Sequence, residues 1–142
     1  MSYIKDNIRW SIQLSDEAVE QFDALLISAP AQAATIAAVL KELEDDEELE
    51  RHLSTEGYQT ENYKVCYVRK YLVASVHVWR MSINAECNEI FTPLDVRLIY
   101  YIDYRARVFK VLDIMPRSAN YGENDPEYES KLIKLYQKYS SA

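Results

Sequence analysis

The side chains best equipped for chemistry in this chain are cations, and they are concentrated. Between residues 64 and 117 stand nine Lys or Arg against five acids, a net +4, although the whole chain of 142 residues carries −7. Phosphate groups are bound by clustered Lys and Arg, so this segment could present a basic face despite the acidic total. The acidity is itself local. Residues 41–50, KELEDDEELE, hold seven acids and one Lys, which leaves only −1 on the rest of the chain. Such a run is most often a solvated helix face; the alternatives are that it masks the basic sheet or contacts a basic partner.

Other chemistries find little footing. His52 and His77 have no partner at catalytic or ligand spacing in the sequence, and a histidine on a strand is more often structural than a base. Cys66 and Cys87 belong to no C-x-x-C pair or His/Cys cluster, so neither a metal site nor a disulfide framework is indicated. No stretch approaches the roughly 18 uncharged apolar residues of a membrane span, and the first residues have no secretory apolar run, so a cytoplasmic protein without membrane partners is expected.

The elements that must position the cations can be read from periodicity. Trp10, Ile12 and Leu14 alternate with polar residues as in a half-buried strand. Ser15 then reads as an N-cap, followed by Asp16 and Glu17 in the first turn, with Ala18, Val19, Phe22, Leu25 and Leu26 at helical spacing up to Ser28. Pro30 suits the first position of a second helix, on which Ile36, Val39, Leu40 and Leu43 form an apolar stripe. Its acidic end is badly placed for the helix dipole, so the helix either runs on toward Arg51 and His52 or frays.

Residues 54–63 form a polar loop, and Lys64 to Ile83 one bent strand or two strands joined by a bulge. Asn84 to Pro93 is the expected turn before a hairpin of Val96–Ile102 and Val108–Ile114. Tyr128, Leu132, Leu135, Tyr136 and Tyr139 mark a last amphipathic helix. The expectation is a single α+β domain over residues 1–142: two N-terminal helices packed on one face of an antiparallel sheet, with a C-terminal helix on that same face.

The most specific pattern runs from Val76 to Tyr121: VHVWRMSI, a turn, VRLIYYID, a short turn, VFKVLDIMPRSANY, then a helix. In that order it resembles the RelE/ParE superfamily of bacterial toxins, in which a basic strand is followed by an Arg-Leu/Ile-x-Tyr type of strand and an apolar strand ending in Arg and then Tyr. The opening strand WSIQLS followed by two helices is similar as well, so the resemblance covers the chain apart from an apparent insertion around 48–75.

The resemblance implies a metal-independent, cofactor-free endoribonuclease that acts on mRNA in the ribosome by 2′-hydroxyl attack on the adjacent phosphate, and is neutralised by a cognate antitoxin peptide. It implies catalytic roles for Arg97 and Arg117 on the phosphoryl group and for Tyr121 in proton transfer, with Arg80 binding RNA. Where ribosome-dependent relatives carry a second cation two positions beyond Arg80, this chain has Ser82. The alternative is therefore a non-catalytic protein of the same fold, either directed at DNA gyrase or a non-toxic interaction domain. Plainer readings stand beside these roles: a surface ion pair of Arg97 with Asp95, Arg80 stacked on Trp79, and Tyr121 as one of twelve largely structural tyrosines.

Overall fold

A computed structural model describes residues 9–69, 75–116 and 126–140. Five strands form one sheet: β1 (Ser11–Leu14), β2 (Tyr63–Tyr67), β3 (Trp79–Cys87), β4 (Ile90–Asp103) and β5 (Val108–Pro116), in the order β1-β5-β4-β3-β2. The four helices are α1 (Asp16–Ser28), α2 (Pro30–Glu44), α3 (Leu49–Leu53) and α4 (Pro126–Ser140).

The α+β class is as expected, but the sheet is mixed. β1 runs parallel to β5, with Ser11 opposite Val108 and Leu14 opposite Val111, while every other pairing is antiparallel. Alternation of apolar residues tells which face a strand buries and says nothing of its neighbour's direction.

The helices also occupy both faces of the sheet, not one. Leu98 and Tyr100 join a core with Ile36, Leu43 and Leu53 from α2 and α3, whereas Ile99 and Tyr101 join a second core with Leu132 and Leu135 from α4. The unbroken buried run Leu98-Ile99-Tyr100-Tyr101 is the mark of a strand covered on both sides. On the α1–α3 face an aromatic row crosses four strands, from Tyr67 through Trp79 and Tyr100 to Phe109, and ends on Trp10 just before β1, with ring centroids 4.8 to 6.4 Å apart.

Local chemistry sets the element ends. Ser15 caps α1: its Oγ accepts from the Ala18 N–H at 3.0 Å and its hydroxyl donates to the Leu112 carbonyl, a cap worth about 1 kcal/mol. α2 stops at Glu44. Asp46 then accepts from the Glu48 N–H at 2.8 Å and sits 2.6 Å from His52 Nδ1, which starts the separate turn of α3.

The stretch 64–83 is neither one bent strand nor a bulged pair: β2 and β3 are antiparallel neighbours, Tyr63 opposite Ile83 and Tyr67 opposite Trp79, linked through residues 68–78. The expected turn at 84–93 shrinks to Asn88 and Glu89, whose φ values of 53° and 65° suit a tight two-residue hairpin between Cys87 and Ile90. Segment 48–75 thus contributes α3 and the edge strand β2. The outer side of that strand is covered by its own preceding loop, where Gly57 N–H donates to Val65 O and Val65 N–H to Tyr58 O.

Two glutamines complete strand edges where a neighbouring strand ends. Past the end of β1, Gln21 accepts from the Ile114 N–H at 2.7 Å and donates to Asp113. Before β5 reaches β4, Gln32 accepts from the Asp95 N–H at 3.1 Å and donates to its carboxylate at 3.0 Å.

α4 is held to α1 by a polar latch: Glu17 accepts from the Tyr139 hydroxyl at 2.7 Å and from Lys138 Nζ at 2.9 Å. The Tyr139 hydrogen bond, then Lys138, draws the Glu17 carboxyl from its ordinary 4.5 down to about 2. A depressed carboxyl pKa gives stability that is complete above the unfolded value and is lost as pH falls from about 4.5 toward 2. Glu17→Gln should therefore remove part of the acid sensitivity in that window while costing under about 1 kcal/mol at neutral pH, because the pair is partly solvent-exposed. Urea midpoints measured across that range check this; parallel pH profiles for the two proteins would refute it.

Candidate functional site

The long β3–β4 hairpin places two of the candidate arginines together. Reading across the sheet, one row of opposed residues is Lys64–Ser82–Arg97–Met115 and the next is Cys66–Arg80–Ile99–Asp113. Ile99 and Met115 belong to the α4-side core, so Arg80 and Arg97 share that face of the sheet. They are diagonal neighbours on adjacent strands, a relation that sets backbone positions roughly 7–8 Å apart and within reach of long side chains. Both side chains are half-buried and the Nε atom of each is shielded from solvent. Guanidinium groups held on a rigid sheet act on phosphoryl oxygens with little reorganisation.

The residues named in the plainer readings make other contacts as well. Asp95 gives its carboxylate to Gln32 of α2. Trp79 lies on the opposite face from Arg80, within the aromatic row, 5.0 Å from Tyr67 and 6.4 Å from Tyr100. The acidic run does not mask the arginines either, because α2 and α3 bury Leu43, Leu49 and Leu53 on the other side of the sheet. There the run borders a cavity of about 800 Å³ together with Arg9, Trp10 and Arg107.

Arg117 and Tyr121 lie outside the described residues. The chain is followed as far as Pro116, opposite Val96 and one position along β4 from Arg97.

Both histidines acquire neighbours that their spacing did not reveal. His52 stacks on Tyr58, ring centroids 4.2 Å apart, as well as meeting Asp46, and His77 Nδ1 is 2.8 Å from the Tyr67 hydroxyl. The two cysteines are free thiols, and no cluster of three metal-ligating side chains occurs among the described residues. No described helix is long and apolar enough to cross a membrane.

Sequence reasoning missed two participants. In the sequence Lys64 is one charge among nine and Asp113 one acid among five between residues 64 and 117. Their place beside the arginines comes from strand register, which a single sequence does not display.

No protein-family model matches this chain, and no curated protein or solved structure matches it.

Proposed function

We propose that this chain is a toxin-like protein of the RelE/ParE kind, an endoribonuclease that cuts mRNA on the ribosome. The observation that carries this reading is the placement of Arg80 and Arg97 as diagonal neighbours on the sheet face opposite α1–α3. In the reaction, the ribose 2′-oxygen attacks the adjacent phosphorus, the bond to the 5′-oxygen of the next nucleotide breaks, and a 2′,3′-cyclic phosphate and a 5′-hydroxyl result. Arg97 and Arg117 stabilise the charge that grows on the phosphoryl oxygens, Arg80 holds the RNA backbone, and Tyr121 takes or orients the 2′-proton.

A peptide antitoxin is the proposed protein partner. Support comes from an apolar groove of about 380 Å³ lined by Ile12, Leu14, Phe22, Ala37 and Leu40, beside the edge strand β1. A strand edge next to apolar pockets suits an extended peptide, which adds main-chain hydrogen bonds and inserts alternate side chains.

Induced expression in a bacterial host, with mapping of mRNA ends in a translating extract, tests the activity. Growth arrest with codon-phased cuts that disappear in the Arg97→Ala, Arg117→Ala double variant supports the nuclease. Intact mRNA together with blocked supercoiling would replace it by a gyrase-directed binder, and absence of any phenotype by a non-toxic interaction domain.

A further inference from the structure

The geometry points to Lys64 of β2 as a third cation of the arginine face, completing a notch for one backbone phosphate above Ser82. The inference rests on the phosphate-binding reading of Arg80 and Arg97, and adds to it a residue from the edge strand β2, within the segment that interrupts the resemblance.

Lys64 stands directly opposite Ser82, which on β4's side is directly opposite Arg97. The middle position of this row carries a short side chain between two long cationic ones. Directly opposed residues have Cβ atoms about 5 Å apart, so the two outer cations flank the serine from the strands on either side.

β2 is fixed in this orientation. Tyr63 and Val65, on either side of Lys64, are 2% and 0% exposed in the α1–α3 core, and the loop bonds from Gly57 and Tyr58 hold the strand's outer edge. Lys64 must then point to the arginine side, where it is exposed and forms no ion pair among the described residues. The Ser82 hydroxyl is likewise without a hydrogen bond among the described residues and can donate to a phosphate oxygen. Immediately beyond Ser82 the β3–β4 register shifts before Asn84, a bulge that raises local twist and is common next to functional sites.

The test is binding of a labelled single-stranded oligouridylate to the full chain over a salt series. Each phosphate contact on a single strand contributes about 0.7 to the slope of log affinity against log salt. Lys64→Gln should weaken binding several-fold and flatten the slope by about that amount. Adding Ser82→Lys to Lys64→Gln moves the cation one strand inward and should restore both, a rescue that a merely structural role for Lys64 would not produce. Arg105→Gln, at the far β4–β5 turn, should leave the slope unchanged.

If Arg97→Ala flattens the slope while Lys64→Gln does not, the third cation is wrong and the arginine face stands. If wild type fails to bind, or Arg80→Ala and Arg97→Ala bind like wild type, the arginine face itself falls and Lys64 with it.

Discussion

On the proposed nuclease reading, replacing Arg97 by alanine is expected to slow mRNA cleavage by roughly 100- to 1,000-fold, the usual loss when one preorganised donor to a developing oxyanion is removed. The size follows from where Arg97 stands. Its strand is flanked by β3 at Ser82 and by β5 at Met115, so the backbone beneath the guanidinium is fixed on both sides before any substrate arrives. Arg97→Lys keeps the charge and loses the planar fork that meets two phosphoryl oxygens at once, and should recover only part of the rate. Binding of single-stranded RNA should fall far less than cleavage, since one contact among several is lost there whereas the transition state loses its fixed counter-charge. Initial rates of cut-site appearance at saturating translating ribosomes, normalised to folded protein, measure the effect. Cleavage by Arg97→Ala at the wild-type rate would remove Arg97 from the mechanism.

What could be read in the sequence, and what could not, divides along a physical line. Ser15 and Pro30 announce helix starts because capping and proline geometry are local, and both hold. The hairpin at 103–107 is equally local: Asp103 accepts from the Arg105 and Ala106 N–H groups, and Arg107 adopts a φ of 58°. The parallel pairing of β1 with β5 joins residues nearly a hundred positions apart, and nothing in WSIQL encodes its partner. The apolar run LIYYI of β4 is consistent with burial on both faces, and α4 covers the face opposite α1–α3 where helices on one shared face are expected.

Of the candidate site, the identities of Arg80 and Arg97 came from a motif, while their adjacency depends on the offset between β3 and β4. That offset is set by the two-residue turn at Asn88 and Glu89 together with the register shift between Ser82 and Asn84, without which Arg80 would stand directly opposite Arg97. A shift of one residue would send Arg97 to the opposite face. Lys64 escaped notice for the same reason: its value lies wholly in standing across from Ser82.

The largest stability effect should come from Asp113→Ala, at about 3 kcal/mol, or a fall of roughly 10 °C in melting temperature for a chain of this size. Asp113 is 1% exposed in the middle of β5. Its carboxyl group accepts from Gln21 of α1, from the Tyr128 hydroxyl at 2.9 Å and from Lys131 Nζ at 3.2 Å on α4. One side chain therefore joins a helix on each face of the sheet to the strand between them. Alanine would leave a cavity under the sheet and take one acceptor from each of the part-buried Gln21 amide and Tyr128 hydroxyl, and a donor that loses its partner inside the protein costs more than the hydrogen bond itself contributes.

The ion pair with Lys131 is the lesser part, because the lysine is 48% exposed and water can take over its charge; Lys131→Met should cost under about 1 kcal/mol. Asp113→Asn keeps one acceptor oxygen for Tyr128 but turns a donor toward Gln21 or Lys131, and should fall between the two. Urea unfolding of the three variants separates the explanations: equal losses for Lys131→Met and Asp113→Ala would make this an ordinary salt bridge. The order predicted here has a functional corollary, because Asp113 shares its row with Ile99 and Arg80, and the next row carries Met115 and Arg97. Loosening β5 at Asp113 should therefore displace the arginine face as well, so that on the proposed RNA-binding reading Asp113→Ala loses RNA affinity at temperatures where it is still folded.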